Sequence, residues 1–136
     1  MPGQQSSQYY LPTGFAAQIL DGAAPHIRVM QVVASFGSAD DAERSYTIAS
    51  SGWSGCQDTL VTLTADRQVA VQKLGRMETR DSIISIAVTQ ADGSSTASCQ
   101  HAFTAKRNIV IDVRVCTPNV GDAGRELVSK IAAKVS

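Results

Sequence analysis

The side chains best suited to chemistry in this 136-residue sequence are three cysteines, two of which bracket one segment. Cys99 and Cys116 enclose the stretch SCQHAFTAKRNIVIDVRVC, and Cys56 ends the stretch SSGWSGC. Two such thiols can ligate a metal, act as a redox pair or form a structural disulfide. A zinc site needs more ligands in close pairs, and a thioredoxin-like motif needs the C-x-x-C spacing, which this sequence lacks. The spacing therefore disfavours metal and redox chemistry.

The segment between Cys99 and Cys116 predicts a β-hairpin. Arg107-Asn108 suits a two-residue turn, because Asn tolerates a positive φ. This turn places the two cysteines opposite each other at a non-hydrogen-bonded position, where Cα atoms approach to about 4.5 Å. Because a disulfide spans Cα distances of this size, the register favours a cross-strand disulfide, with two buried free thiols as the alternative. A structural disulfide indicates an oxidising compartment.

The same register predicts a mixed aromatic and charged face on the hairpin. His101, Phe103, Asp112 and Arg114 share the face of the two cysteines, whereas the opposite face is mainly apolar and is expected in the core. A mixed face can line a ligand cleft, in which Arg114 is the natural anchor for an anion. The alternative is a half-exposed sheet face that carries a surface ion pair. These four side chains are the candidate ligand-binding residues.

Catalysis is not predicted. Cys56 would need a histidine partner to act as a nucleophile, and nothing in the spacing supplies one. The sequence has no G-x-S-x-G elbow, no G-x-G-x-x-G motif and no P-loop. We therefore predict no catalytic residue, metal ligand or cofactor. An odd cysteine in an exported chain suggests a missing partner, an intermolecular bridge or a reactive thiol, so Cys56 is predicted to be unpaired within this chain.

The composition is that of a globular domain. Apolar residues make up 43% of the chain and charged residues 18%, and 12 basic residues balance 12 acidic ones. This balance argues against a nucleic-acid surface. No apolar run approaches the length of a membrane span, and no export signal is visible. The missing signal is consistent either with a cytosolic protein or with a sequence that begins after the signal.

The hydrophobic pattern predicts a single α+β domain, with a largely antiparallel sheet flanked by helices. One helix is expected from its N-cap at Ser38 to a stop at Gly52, and an amphipathic helix follows Pro118 to the C-terminus. Residues 1–14 are predicted to be irregular. Strands are predicted over 27–36, 59–63, 68–74 and 82–88, before a loop over 91–98 and the hairpin.

Three stretches of the sequence resemble one known family. They are ASFGSADDAERSYTIASSGWSGC, the cysteine-flanked segment ending in NIVIDVRVC, and AGRELVSKIAAKV. Together they are similar to the PknH-like extracellular sensor domain, which occurs in mycobacterial receptor Ser/Thr kinases and in cell-envelope lipoproteins. The resemblance covers residues 27–135 and is most specific between Cys99 and Cys116.

The resemblance implies an exported α+β domain with two disulfides. One disulfide matches Cys99–Cys116, and the other links the Cys56 position to a cysteine near the N-terminal region of the family. This chain has no such cysteine, so we expect it to be one sensor domain over residues 1–136 that lacks its N-terminal portion.

The functional expectation also comes from the resemblance. It is a non-catalytic sensor or ligand-binding domain on the extracellular or periplasmic side of the cell envelope, attached to a kinase or a lipid anchor in the full-length protein. Its partner would be an unidentified small molecule or envelope component. The alternative is an envelope structural or protein-interaction module that forms a homodimer.

Overall fold

A computed structural model describes residues 12–22, 27–91 and 97–136 of the chain. In these residues, eight strands form one sheet, and the two helices pack on it. The strands are β1 (Gly14–Gly22), β2 (Ile27–Ser35), β3 (Thr59–Ala65), β4 (Gln68–Leu74), β5 (Glu78–Arg80), β6 (Ile83–Gln90), β7 (Ala97–Lys106) and β8 (Ile109–Pro118). The helices are α1 (Ala39–Cys56) and α2 (Ala123–Ala132).

The β7–β8 hairpin lies at the centre of the sheet. The strand order is β1-β2-β8-β7-β6-β4-β3, with β5 paired to β6, and every pairing among the described strands is antiparallel. The hairpin has the predicted register, so Cys99 lies opposite Cys116. The α+β class, the antiparallel sheet and the C-terminal helix are thereby confirmed.

The sheet has a helix on each face, and each helix covers its own hydrophobic core. On one face, small and aromatic residues of α1 pack on β6, β7 and the start of β8. The largest members of this core are Trp53, Ile84, Ile86, Val88 and Phe103. On the other face, α2 packs on the same central strands through Val128, over Ala102, Ile111, Val113 and Val115. Because both faces are covered, the central strands alternate between two cores rather than between core and solvent.

Helix α1 begins where the sequence predicts and ends later. Ser38 is the N-cap, and its hydroxyl accepts a hydrogen bond from the Asp41 backbone N–H at 3.1 Å. The predicted stop at Gly52 is wrong, because the helix continues to Cys56. Trp53 explains the extension. Its side chain is only 2% exposed, and burial of a tryptophan outweighs the roughly 1 kcal/mol that a helical glycine costs.

Helix α2 is capped from the sheet and not by its own N-cap residue. Asp122 makes no capping hydrogen bond. Instead, the buried Gln100 side chain of β7 accepts a hydrogen bond from the Arg125 backbone N–H at 2.9 Å. Its amide nitrogen donates to Asp122 Oδ1, also at 2.9 Å. Gln100 therefore satisfies a free donor of the first helical turn while fixing where the helix lies on the sheet.

Strands β1 and β5 are not predicted from the sequence. β1 pairs with β2 over nine positions, although its sequence GFAAQILDG contains few strong strand formers. Of residues 1–14, predicted to be irregular, 1–11 lie outside the described residues and Gly14 already belongs to β1. The predicted loop over 91–98 is likewise only partly described, and 97–98 belong to β7.

The hairpin turn differs from the prediction in one detail. The positive φ falls on Arg107, at 56°, and not on Asn108. The Asn108 side chain donates instead to the Phe36 carbonyl oxygen at 3.0 Å, and the Phe36 N–H donates to the Asn108 carbonyl oxygen at 2.8 Å. Asn108 thus connects the turn to the end of β2.

Candidate functional site

The cysteine pair forms the predicted cross-strand disulfide. Cys99 and Cys116 are bonded, with their Cα atoms 4.0 Å apart, close to the spacing of a non-hydrogen-bonded pair. Both sulfurs lie on the α1 face of the sheet, which is the face of all four candidate ligand-binding residues. The disulfide therefore fixes β7 against β8 next to the candidate site.

His101 is a buried residue and not an exposed ligand. Its side chain lies beneath α1, with the ring 4.4 Å from the Trp53 ring between centroids. Its Nε2 atom is 2.5 Å from Asp112 Oδ1, so that the diagonal neighbour on β8 satisfies the imidazole. The histidine is only 5% exposed. Its polar contact is internal, within the hairpin.

Phe103 is also part of the core under α1. The ring is 2% exposed, 6.3 Å from Trp53 and 6.4 Å from Tyr46 between centroids. Burial, together with the charge of Glu43, raises the pKa of the Tyr46 hydroxyl. Trp53 and Tyr46 are thus the aromatic residues through which α1 packs on the hairpin. Phe103 and His101 lie buried between the sheet and α1, and neither side chain is open to solvent.

Arg114 is the candidate residue at the boundary of this covered region. It lies directly opposite His101 on β7 and Met30 on β2. The side chain is half-buried, and the loss of hydration lowers the pKa of its guanidinium, although Asp112 two residues away acts in the opposite direction. Among the residues that the structure describes, Arg114 forms no ion pair.

One cross-strand row explains this boundary. It runs across five strands in the order Ile19, Met30, Arg114, His101 and Ile86. Ile19 is 56% exposed and Met30 39%, whereas Ile86 is 1% exposed. The row therefore passes from an open apolar shelf on β1 and β2, through one half-buried cation, to the core under α1. We call Ile19 and Met30 the apolar shelf.

Sequence reasoning did not identify the apolar shelf as part of the site. The sequence predicts Met30 only as one residue of the strand over 27–36, and it does not predict β1. Met30 can be recognised as a neighbour of Arg114 only once β2 is known to pair with β8. The two residues are far apart in the sequence, and no sequence motif connects them.

Cys56 is the last residue of α1 and not a residue beyond it. It is half-buried against the core on the α1 face and forms no disulfide within the described residues. Its carbonyl oxygen accepts a hydrogen bond from the Thr59 hydroxyl. Within the described residues no histidine forms a hydrogen bond with its thiol, and the imidazole of His101 is paired with Asp112.

The described residues offer no metal centre, because no three His, Cys, Asp or Glu side chains are grouped to hold an ion. Neither helix in this part of the chain is long and apolar enough to cross a bilayer. The site combines a half-buried guanidinium without an ion-pair partner and an adjacent apolar shelf, on a sheet cross-linked by a disulfide.

Comparison with known proteins identifies a family to which the sequence of this chain is similar. A family model described as "PknH-like extracellular domain" matches residues 1–134. The chain is 26% identical over 108 residues to the serine/threonine-protein kinase PknH of Mycobacterium bovis, covering 79% of this chain and 18% of the relative. The same protein of Mycobacterium tuberculosis matches equally, with 17% of its length covered. The chain thus spans less than a fifth of these curated relatives.

The fold has a solved counterpart. The structure titled "Crystal structure of the extracellular domain of PknH from Mycobacterium tuberculosis" superposes with a TM-score of 0.84 at 24% sequence identity. The match covers 95% of this chain and 69% of the solved one. At this identity the likeness establishes the fold alone.

Proposed function

The chain belongs to the PknH-like extracellular domain family, and on this premise we propose that it is a non-catalytic sensor domain of the cell envelope that binds an anionic ligand at Arg114. The domain is extracellular, as in the family. The ligand is a small molecule or an envelope component that carries an acidic group beside an apolar part. In the full-length protein the domain is attached to a kinase or to a lipid anchor.

The observation that carries the proposal is the half-buried, unpaired guanidinium of Arg114. A desolvated charge is costly unless a partner of opposite charge and good geometry repays the cost. Asp112, the acid whose charge acts on Arg114, directs Oδ1 to His101 and forms no ion pair with Arg114. A carboxylate or phosphate from a ligand would supply the missing partner, and Arg is suited to bind either group in a bidentate manner.

The apolar shelf supports a ligand that is more than an inorganic ion. Ile19 and Met30 extend from Arg114 toward the sheet edge on the same face, and both are exposed. An apolar group attached to the acid would cover them and bury surface that the free domain exposes to water. His101 and Phe103 have a positioning role in this proposal, because they hold the hairpin and the neighbouring Asp112 in place.

The experiment is a titration of the labelled domain with benzoate, phenyl phosphate and inorganic phosphate, followed by two-dimensional NMR. We expect the aromatic acids to shift resonances of β2 and β8 around Arg114, and the Arg114→Ala variant to lose these shifts. Arg28→Ala is the matched control. Arg28, on β2, lies on the same face of the sheet as Arg114, but its Nε atom is already 3.7 Å from Asp21 Oδ1. Shifts that persist in Arg114→Ala would contradict the proposal.

A second function, homodimerisation, is favoured by the exposed edge strand β1. Its outer edge has no strand partner among the described residues, and Phe15, Ile19 and Leu20 are 68%, 56% and 47% exposed. Asp21 is the one charged residue of β1, and an edge strand with so little protecting charge pairs readily with another chain. Light scattering over a range of concentrations tests this function. A dimer that Leu20→Lys dissociates would support it, and a strict monomer at high concentration would oppose it.

A further inference from the structure

A groove lies on the face of the sheet opposite Arg114, between the β1–β2 hairpin and α2. Its volume is about 620 Å³, within the range of small-molecule sites. Strands β1 and β2 form the floor, and α2 forms the wall. The groove lies where the sheet extends beyond β6, β7 and β8, the strands with which α2 makes most of its contacts.

The centre of the groove is apolar. Ala16 and Val33 are cross-strand partners on the floor, and Leu127 and Ile131 lie one helical turn apart on the wall. None of these side chains is fully buried in the free domain. An apolar chain laid along the groove would therefore remove apolar surface from water on both sides.

The rim of the groove is basic. Lys130 and Lys134, four residues apart in sequence, line the groove on the α2 side. No carboxylate lines the groove, and neither lysine forms an ion pair within residues 12–22, 27–91 and 97–136. The local charge is thus positive and uncompensated, although the chain as a whole is neutral.

An amide pair completes the floor. Gln31 Nε2 donates to Gln18 Oε1 at 2.8 Å, on the row next to Ala16 and Val33. This hydrogen bond leaves the Gln18 amide nitrogen as a donor and the Gln31 oxygen as an acceptor. The floor can therefore hydrogen-bond to one polar group without presenting a charge of its own.

From this geometry we propose that the groove binds a single-chain amphiphile with an anionic head, of the medium-chain fatty-acid class. The alkyl chain lies over Val33, Leu127 and Ile131, and the head group is held by Lys130 and Lys134. The segment from Leu127 to Lys134, which runs two residues past the end of α2, is about 10 Å long at helical rise, and this length sets a medium chain. The inference does not rest on the anion site at Arg114, which lies on the other face of the sheet.

Decanoate is the probe, titrated below its micelle concentration and followed by calorimetry and by two-dimensional NMR. Acetate supplies the charge without the chain, and decanol the chain without the charge. We expect decanoate to bind more tightly than either and to shift resonances of β1, β2 and α2. In the double variant Lys130→Ala/Lys134→Ala we expect roughly ten-fold weaker binding, as two partly exposed ion pairs are lost.

Two control variants make the result specific. Lys73→Ala removes an exposed lysine of β4 outside the groove, and Arg114→Ala removes the cation of the opposite face. Both should retain the decanoate-induced shifts of α2, whether or not decanoate also binds at Arg114, so a failure of the Arg114 proposal remains distinguishable from a failure of this one. The inference is overturned if decanoate does not shift α2, if the double variant binds equally well there, or if the shifts are confined to the Arg114 face.

Discussion

The Trp53 indole packs on the His101 imidazole, with ring centroids 4.4 Å apart, and this contact joins α1 to the central hairpin. The imidazole is also paired with Asp112, so one cluster of side chains links α1, β7 and β8. Because Arg114 lies directly opposite His101, the position of the candidate anion site depends on this contact.

Trp53→Ala should destabilise the domain by about 3–5 kcal/mol, because a fully buried aromatic side chain is replaced by a cavity. Urea unfolding, followed by circular dichroism, measures the change in the free energy of unfolding. Tyr46→Phe on the same helix is the control, since it keeps the ring beside Phe103 and removes only a half-buried hydroxyl. A loss below about 1 kcal/mol for Trp53→Ala would mean that α1 does not depend on this contact.

Removal of the disulfide by Cys99→Ser/Cys116→Ser should cost about 3 kcal/mol, because the cross-link spans 17 residues and restricts the unfolded chain. Chemical denaturation of the double variant, with and without a reductant, checks the value. Reductant should lower the stability of the unsubstituted domain and leave the variant unchanged. Cys56→Ser is the control and should respond to reductant as the unsubstituted domain does, since its thiol is free.

Gly124→Ala should destabilise the domain by about 1–3 kcal/mol, because an added Cβ overpacks a close contact. A Cβ at this position would lie 2.8 Å from the Gln100 backbone oxygen, which cannot move without disturbing β7. Thermal unfolding measures the effect.

Gly55→Ala is the matched control for Gly124→Ala. A Cβ there meets nothing within 4 Å, so the helix should gain about 0.5–1 kcal/mol from the lower entropy cost of alanine. Substitutions of the same kind are thus expected to change stability in opposite directions. Two changes of equal sign would contradict the close approach of α2 to β7.

We expect low pH to destabilise the domain, because Asp122 at the start of α2 is bonded as a carboxylate to Gln100 of β7. Hydrogen bonds from Arg125 and Gln100 hold the pKa of this carboxyl well below its usual range, and the charges of Arg125 and Arg80 add to the effect. A depressed pKa means that the unfolded state binds more protons as the pH falls through the usual carboxyl range. The stability that Asp122 contributes is therefore complete above about pH 5 and is lost progressively below it.

The measurement is the free energy of unfolding between about pH 6 and pH 2 for the unsubstituted domain and for Asp122→Asn. The difference between the two proteins should be largest near neutral pH and should shrink on acidification. A difference that stays constant with pH would show that the carboxylate charge contributes nothing.

The central hairpin is the part of the fold that the sequence predicted best. Residues on an antiparallel strand alternate between faces, so a turn at Arg107-Asn108 determines which residues are opposite one another and which share a face. The disulfide and the common face of His101, Asp112 and Arg114 followed from this local rule. The N-cap at Ser38 followed equally from local hydrogen bonding.

What only the tertiary structure decided is which of these residues remain accessible. Because Trp53 is buried, α1 continues past Gly52. The longer helix covers His101 and Phe103, whereas Arg114 lies at the edge of the covered region. The pairing of β1 with β2, which formed the apolar shelf and the groove under α2, depends on contacts between segments. The sequence by itself determined local register, capping and amphipathicity, because these depend on neighbouring residues. Exposure depends on what distant segments cover, which no local pattern encodes.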